Sequence, residues 1–222
     1  MASYRFKDVI PAVSPEIGRM AMELEKSQTR ENLMRAFAGE SMARNRYTFA
    51  AAAAKKEGYP VLELLFRYTA EQERAHGGIW YRYLRGCGCT NLEITAGFPV
   101  DLKSDTLSLL EYAVQHEEEE HTVVYPAFAK IACEEGFREI SGKMDLTGKI
   151  EQEHAERFRR FLEYLKEDRL FVSEQETGWM CLNCGYLFEG TEAPKLCPVC
   201  QHDQGFFVRL EMAPFGDAVL KK

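Results

Sequence analysis

The sequence has no long uninterrupted apolar stretch and no excess of positive charge. A helix needs roughly 20 apolar residues to cross a bilayer, and no run approaches that length, so we expect no membrane span. The 28 lysines and arginines are outnumbered by 35 aspartates and glutamates, which gives a net charge of -7. Nucleic acids are bound through basic stripes, and none is visible, so a nucleic-acid partner is excluded.

We also expect neither a secretory leader nor a disulfide framework. The first residues, Met1 to Lys7, lack the continuous apolar segment of a signal peptide, and we therefore expect a cytoplasmic protein. The seven cysteines are an odd number, and four of them have the spacing of metal ligands. In a reducing compartment the other three, Cys87, Cys89 and Cys133, are expected to be free thiols.

Most of the chain has the pattern of long helices. Residues 1–28 form an N-terminal extension in which Ser14-Pro15-Glu16 is a typical helix start, so we expect one helix there. Four further helices are predicted before a change of composition near residue 170. The third has a kink at Pro126, and the fourth is weakened by Gly142 and Gly148. Their predicted ranges are 29–56, 60–85, 104–135 and 137–168.

The connection between the second and third helices is long. It covers residues 86–103, whereas loops between packed helices usually have about 2–8 residues. Such a connection indicates a four-helix bundle with one long crossover, which is the ferritin-like topology. The segment 54–59 also recurs in altered form at 132–137. We therefore interpret the bundle as two related helical hairpins. We therefore predict a bundle at 29–170 and a small second domain at 171–222.

Acidic residues and histidines recur at helical spacing within the bundle. Glu73 precedes His76 by three residues, and Glu151 precedes His154 by three, so each pair shares one helix face. Glu40 lies in a stretch of small and apolar residues, where an unpaired carboxylate would be costly. Carboxylates with two imidazoles suit iron or manganese. The predicted dimetal ligands are Glu40, Glu73, His76, Glu117, Glu120, Glu151 and His154.

Four consecutive acids, residues 117–120, lie on the third helix. Such a run is normally a solvated face, and we keep that interpretation for Glu118 and Glu119. Glu117 and Glu120 are three residues apart and share a face, so they are the candidates for metal binding.

The second domain has two Cys-x-x-Cys pairs separated by twelve residues. This spacing is typical of a tetrahedral site with four thiolates, which accepts either zinc or iron. Trp179, Tyr186 and Phe206 or Phe207 could form a small aromatic core around it. These surroundings favour iron, and a structural zinc ribbon stays open as the alternative. The predicted ligands are Cys181, Cys184, Cys197 and Cys200.

Together these motifs resemble the rubrerythrin family over residues 29–210, and the cysteine pairs resemble rubredoxin knuckles. The resemblance rests on Ala38-Gly39-Glu40-Ser41, on both Glu-x-x-His pairs, and on Glu117-x-x-Glu120 before Tyr125-Pro126. It implies an all-α ferritin-like bundle with a small C-terminal rubredoxin-like metal-binding domain. It also implies cofactors, namely a non-haem diiron site and a mononuclear Fe(Cys)4 site.

The resemblance implies a role for each ligand. Glu73 and Glu151 would bridge the irons, Glu40 and Glu117 would be terminal ligands, and His154 would bind one iron. Glu120 would exchange with His76 at the other iron as the redox state changes. Tyr47 and Tyr125 fall where the family keeps tyrosines beside the ligands, so we class Glu120, His76, Tyr47 and Tyr125 as catalytic candidates. Both tyrosines could equally be ordinary core aromatics with a polar tip.

The implied activity is reduction of hydrogen peroxide to water, with electrons relayed through the Fe(Cys)4 centre. The implied partners are an external electron donor, a rubredoxin or an NADH-linked reductase, and a second copy of the chain in a homodimer or higher oligomer. Three alternatives stay open. They are a ferroxidase or iron-handling protein, a diiron oxidase acting on an organic substrate, and a non-enzymatic sensor module with zinc at the cysteines.

Overall fold

The computed structural model describes residues 23–88 and 90–213, and most of them are helical. The predicted helix at 14–24 therefore lies almost entirely outside the described residues. A helical bundle comes first, and a small three-stranded sheet follows it. The helices are α1 (Gln28–Lys56), α2 (Pro60–Gly86), α3 (Thr106–Glu119), α4 (Tyr125–Glu134) and α5 (Arg138–Lys166). None of the helices in this part of the chain is long and apolar enough to span a membrane.

The segments 54–59 and 132–137, which resemble each other in sequence, form the same kind of helix end. Gly58 and Gly136 both have positive φ angles, of 82° and 88°, which favour glycine. The next residue in each case donates its N–H five residues back, Tyr59 to the Ala54 carbonyl and Phe137 to the Ala132 carbonyl, at 2.9 and 2.8 Å. This is the Schellman motif, which satisfies the last carbonyls of a helix.

The residue before each of these glycines caps another helix. The carboxylate of Glu57 accepts the N–H of Thr106 at 3.1 Å, at the start of α3. The carboxylate of Glu135 accepts the N–H groups of Gln28 and Thr29, both at 2.8 Å, at the start of α1. Negative charge at a helix N-terminus is stabilising, so the two hairpins brace each other in related ways.

The predicted third helix is interrupted. Between α3 and α4 the residues Glu120–Val124 form a π-helical turn, directly before Tyr125-Pro126. Proline has no N–H and clashes with the carbonyl four residues earlier, and a wider turn relieves both problems. The structure thus places a π turn directly before Pro126, where the sequence predicts a kink.

The bundle has a polar layer between two apolar clusters. α1 packs along α2, and the interrupted helix α3–α4 packs along α5. Each of the four long helical segments runs from one apolar cluster to the other and passes a buried glutamate on the way. One cluster is centred on Phe66 and Phe158, and the other on Trp80 and Met144, all fully buried. Ionisable groups in such a layer are costly unless compensated.

The C-terminal domain is a small antiparallel sheet with strand order β2-β1-β3. The strands are β1 (Val172–Cys181), β2 (Leu187–Glu192) and β3 (Phe207–Arg209). Buried Trp179 and Phe207 pack with Cys181 and Cys197, so the predicted aromatic core is confirmed. The all-α ferritin-like bundle with a small rubredoxin-like domain is therefore confirmed as the fold class.

The domain rests on the bundle end. Arg209 is buried between the rings of Tyr164 and Trp179, at 4.4 and 4.9 Å, and donates to the carbonyl of Arg169 at 3.1 Å. A Cβ placed on Gly205 would come within 2.6 Å of the Gly58 carbonyl oxygen, so only glycine fits there. Val208 joins the apolar cluster of the bundle.

Candidate metal centres

Four helical segments bring the predicted dimetal residues together in the polar layer. Glu40 comes from α1, Glu73 and His76 from α2, Glu117 from α3, and Glu151 and His154 from α5. The four glutamates are at most 2% exposed, and the two histidines at most 6%. The helix spacing of three residues places each Glu-x-x-His pair on one inward face, as predicted.

Two of the glutamates face both histidines. Glu73 presents one oxygen to His76 Nδ1 at 3.1 Å and the other to His154 Nδ1 at 2.9 Å. Glu151 does the same, at 3.0 Å to His76 and 2.9 Å to His154. A carboxylate that turns one oxygen to each of two neighbouring points is arranged as a bridge between two cations.

The other two glutamates each face one histidine. Glu40 approaches His76 at 3.7 Å, and Glu117 approaches His154 at 3.5 Å. The ligand atoms therefore fall into two groups that share Glu73 and Glu151, with atoms in each group within 4.8 Å of one another. The two imidazole rings stack at 5.6 Å.

The buried polar atoms of this layer fit metal ions. Several lack a hydrogen-bond partner of acceptable geometry, although they lie close to one another. Such orphaned buried atoms are rare in proteins and indicate an ion. They are Glu40 Oε2, Glu73 Oε1, Glu117 Oε2, both oxygens of Glu151 and both ring nitrogens of His154.

The electrostatics also require positive charge. Burial and the charge of Glu73 raise the pKa of Glu117 to about 8, and burial and Glu151 raise the pKa of Glu40 well above its usual value. Burial disfavours the charged His154, but its three glutamate neighbours outweigh this and raise its pKa to about 12. Glu40 and Glu117 therefore favour the neutral form while only the histidines are near them, whereas two divalent cations would offset four carboxylate charges.

Both candidate tyrosines donate to the outer glutamates. The hydroxyl of Tyr47 bonds Glu117, and that of Tyr125 bonds Glu40. Burial and the charge of Glu117 raise the pKa of Tyr47 well above its usual value, and burial and Glu40 act likewise on Tyr125. Both side chains therefore stay protonated and hold the outer carboxylates in place.

Trp80 also belongs to the site, although it is not among the site residues predicted from the sequence. Its Nε1–H donates to the Tyr125 hydroxyl at 3.0 Å and lies 3.4 Å from Glu40. The signal was available, because Trp80 lies four residues after His76 on the same helix face. Phe158 holds the matching place after His154 and packs on Tyr47 at 5.1 Å, without an N–H to donate.

Glu120 lies beside the site but outside both ligand groups. It opens the π turn and lines a cavity of about 170 Å³ together with Glu40 and Tyr125. Burial and the charges of Glu40 and Glu117 raise the pKa of Glu120 well above its usual value. The structure therefore brings His76 to the ligand cluster and keeps Glu120 next to it, and their exchange stays a prediction.

The four predicted cysteines of the second domain form a compact group. Their sulfur atoms lie within 4.8 Å of one another, with Cys181 and Cys200 at 3.7 Å and Cys184 and Cys197 at 3.6 Å. This arrangement fits one tetrahedral metal ion. Among the described residues, Cys87 and Cys133 do not join the group, and Cys89 lies outside them.

Backbone N–H groups point at three of the sulfur atoms. The N–H of His202 lowers the pKa of Cys200 to about 6, the N–H of Tyr186 bonds Cys184, and the N–H groups of Asn183 and Cys184 bond Cys181. Each knuckle turns through a residue of positive φ, Gly185 at 77° and Gln201 at 61°. Such hydrogen bonds stabilise thiolates and influence the reduction potential of an iron bound to them.

Comparisons with known proteins agree with both centres. The family model described as Rubrerythrin matches residues 31–162 and 108–182, and the model of the rubrerythrin rubredoxin-like domain matches residues 179–208. A rubrerythrin of Porphyromonas gingivalis is 44% identical, with 85% of this chain and 92% of the relative aligned. A rubrerythrin of Nitratidesulfovibrio vulgaris is also 44% identical, over 83% of this chain and 95% of the relative.

Solved structures show the same architecture. Fully reduced, all-ferrous nigerythrin superposes with a TM-score of 0.56 at 28% identity, covering 83% of this chain and 90% of that one. Symerythrin from Cyanophora paradoxa, at 19% identity and a TM-score of 0.51, shares the fold. The chain therefore belongs to the rubrerythrin family, and it carries the side chains of that family's two centres, a non-haem diiron site and a rubredoxin-like Fe(Cys)4 site.

Proposed function

We propose that this protein is a peroxidase that reduces hydrogen peroxide to two molecules of water, using two electrons and two protons. The observation that carries the proposal is the arrangement of Glu73 and Glu151, each of which turns one oxygen to each histidine. Two adjacent cation positions result, and a small cavity opens beside them at Glu40 and Glu120. Two reduced irons bound there would supply both electrons for breaking the O–O bond.

The ligand roles follow from the same geometry. Glu73 and Glu151 would bridge, Glu40 and Glu117 would be outer ligands, and the two histidines would each serve one position. Glu120 would be the carboxylate that alternates with His76, because it lies in the cavity on the Glu40 side. Its raised pKa also suits it to hold a proton near the substrate.

The remaining residues position and protect this cluster. Tyr47 and Tyr125 fix the outer carboxylates, and Trp80 fixes Tyr125. Outer hydrogen bonds of this kind orient metal ligands and are typically worth 10–100-fold in metal affinity or activity, to order of magnitude. The apolar clusters on either side exclude water from the reacting groups.

We further propose that the four thiolates hold iron and pass electrons to the diiron site one at a time. A ferroxidase or a simple oxidase would have no use for a thiolate centre with sulfur-directed N–H groups. The electron donor would be a rubredoxin or an NADH-linked reductase in the cytoplasm. A homodimer or higher oligomer, and domain limits at residues 28 and 170, belong to the same proposal.

Replacing Glu120 tests the mechanism. We expect Glu120→Ala to fold normally but to lower kcat/KM for hydrogen peroxide by about 10–100-fold, because a ligand and proton carrier is lost. The measurement is peroxide consumption by the iron-loaded protein, with NADH and a reductase as the electron source.

Glu118→Ala is the matched control. It removes an acid from the same run, but one that is exposed and paired with Arg159. Activity near that of the native protein is expected. Undiminished peroxide turnover in Glu120→Ala would remove Glu120 from the mechanism, and an absence of peroxide turnover in the native protein would favour the oxidase or ferroxidase alternative.

A further inference from the structure

Part of the long crossover lies beside the polar layer of the bundle. The segment 95–101, which we name the crossover strap, has no regular secondary structure. Three side chains of the bundle hold it. Arg35 donates to the Thr95 carbonyl at 3.2 Å, and Arg46 donates to the Pro99 carbonyl at 3.4 Å. His116 Nε2 lies 3.1 Å from the Asp101 carboxylate.

A cavity lies between the strap and the carboxylates. Gly97, Phe98 and Pro99 line it on the side of the strap, and Glu40, Glu120 and Tyr125 line it on the side of the bundle. The cavity is therefore a route by which a substrate can reach the site, since it joins the strap to two of the candidate iron ligands.

The cavity is small. Its volume is about 170 Å³, whereas sites for drug-sized ligands typically have about 300–1,000 Å³. A water molecule takes about 30 Å³ of liquid volume, so hydrogen peroxide fits together with a few waters. An aryl hydroperoxide would have to displace these waters and pass the side chains of the strap that line the cavity.

Phe98 is the bulky side chain of the strap at this wall. Its ring packs over Gly39, the residue directly before Glu40 in the chain. A Cβ on Gly39 would lie 3.9 Å from Phe98 Cε1. The ring is partly buried, whereas Val100, two residues later, is 78% exposed and does not line the cavity. The strap thus has one side chain placed to limit the width of the route and another that is not.

We propose that Phe98 is a specificity-determining residue that admits hydrogen peroxide and excludes bulky organic hydroperoxides. The inference rests on the peroxidase function proposed above. In either reaction the O–O bond takes up two electrons from the reduced diiron site and two protons. Hydrogen peroxide gives two waters, and an organic hydroperoxide gives an alcohol and one water.

The test compares Phe98→Ala with Val100→Ala as the control on the same strap. We expect Phe98→Ala to raise kcat/KM for cumene hydroperoxide by about tenfold or more, since steric exclusion is relieved. The same variant should change kcat/KM for hydrogen peroxide by less than about threefold, and Val100→Ala should change neither. Phe98→Leu, which keeps the apolar contact with Gly39, should lie between the native protein and Phe98→Ala.

Binding measurements on the ferric protein separate this inference from the proposed function. Azide and benzoate are both anions, so their comparison isolates size from charge, and their binding is followed by absorbance without turnover. We expect the native protein to bind azide and to exclude benzoate, and Phe98→Ala to bind both. Equal benzoate affinity in the native protein and Phe98→Ala, or equal use of both peroxides by the native protein, would overturn the proposal.

Discussion

Each outer carboxylate of the diiron layer is held by one tyrosine. Tyr47 serves Glu117, and Tyr125 serves Glu40, so residue-level symmetry follows the repeat of the chain. The shared inward face of each Glu-x-x-His pair could be predicted from spacing, because three-residue steps on a helix fix direction. The tyrosine contacts could not, since a buried tyrosine hydroxyl has many possible partners and the choice depends on packing between helices.

At this scale we predict that Tyr125→Phe weakens iron binding by about 10–100-fold, because Glu40 loses the donor that orients it. Tyr47→Phe should weaken it comparably through Glu117. Competition with a coloured chelator measures the affinity. Tyr59→Phe removes a hydroxyl from a partly buried tyrosine at the core edge and is the control. Native affinity in both Tyr125→Phe and Tyr47→Phe would show that these bonds do not support the ligands.

Among the elements, the π turn explains an irregularity of the repeat. Glu40 and Glu117 are 77 residues apart, whereas Tyr47 and Tyr125 are 78 apart, so the second hairpin has one extra residue between glutamate and tyrosine. A π turn absorbs one extra residue within a helix, and it lies at Glu120–Val124. The sequence thus contained the signal, but the offset alone does not say which residues form the turn.

Helix propensity alone does not describe the two glycines of α5, Gly142 and Gly148. Both were predicted to weaken the helix, but they differ in surroundings. A Cβ on Gly148 would lie 3.0 Å from Tyr125 Cβ, whereas nothing lies within 4 Å of a Cβ on Gly142. Gly148 therefore permits the close approach of α5 to the end of the π turn, where its carbonyl also lies 2.7 Å from His121 Nδ1.

We predict that Gly148→Ala lowers the free energy of unfolding by about 1–3 kcal/mol, because overpacking outweighs the better helix propensity of alanine. Gly142→Ala, on the exposed face of the same helix, should instead raise it by up to about 1 kcal/mol. Denaturant unfolding of the two variants measures both. An equal gain in stability for both variants would contradict the close packing at Tyr125.

The whole molecule joins two metal centres of different chemistry. The carboxylate layer suits a pair of irons that take part in two-electron chemistry, and the thiolate group suits one-electron transfer. The division into a bundle and a cysteine-rich segment was predictable from composition and spacing. The seating of the small domain on the bundle was not, because it depends on the stacking of Arg209 and on the close approach at Gly205.

The most direct test mixes the fully reduced, iron-loaded protein with hydrogen peroxide in an anaerobic stopped-flow experiment. We predict rapid return of the diiron and thiolate-iron absorption bands, much faster with peroxide than with oxygen. A protein without a thiolate-iron band, or one reoxidised faster by oxygen than by peroxide, would contradict the account.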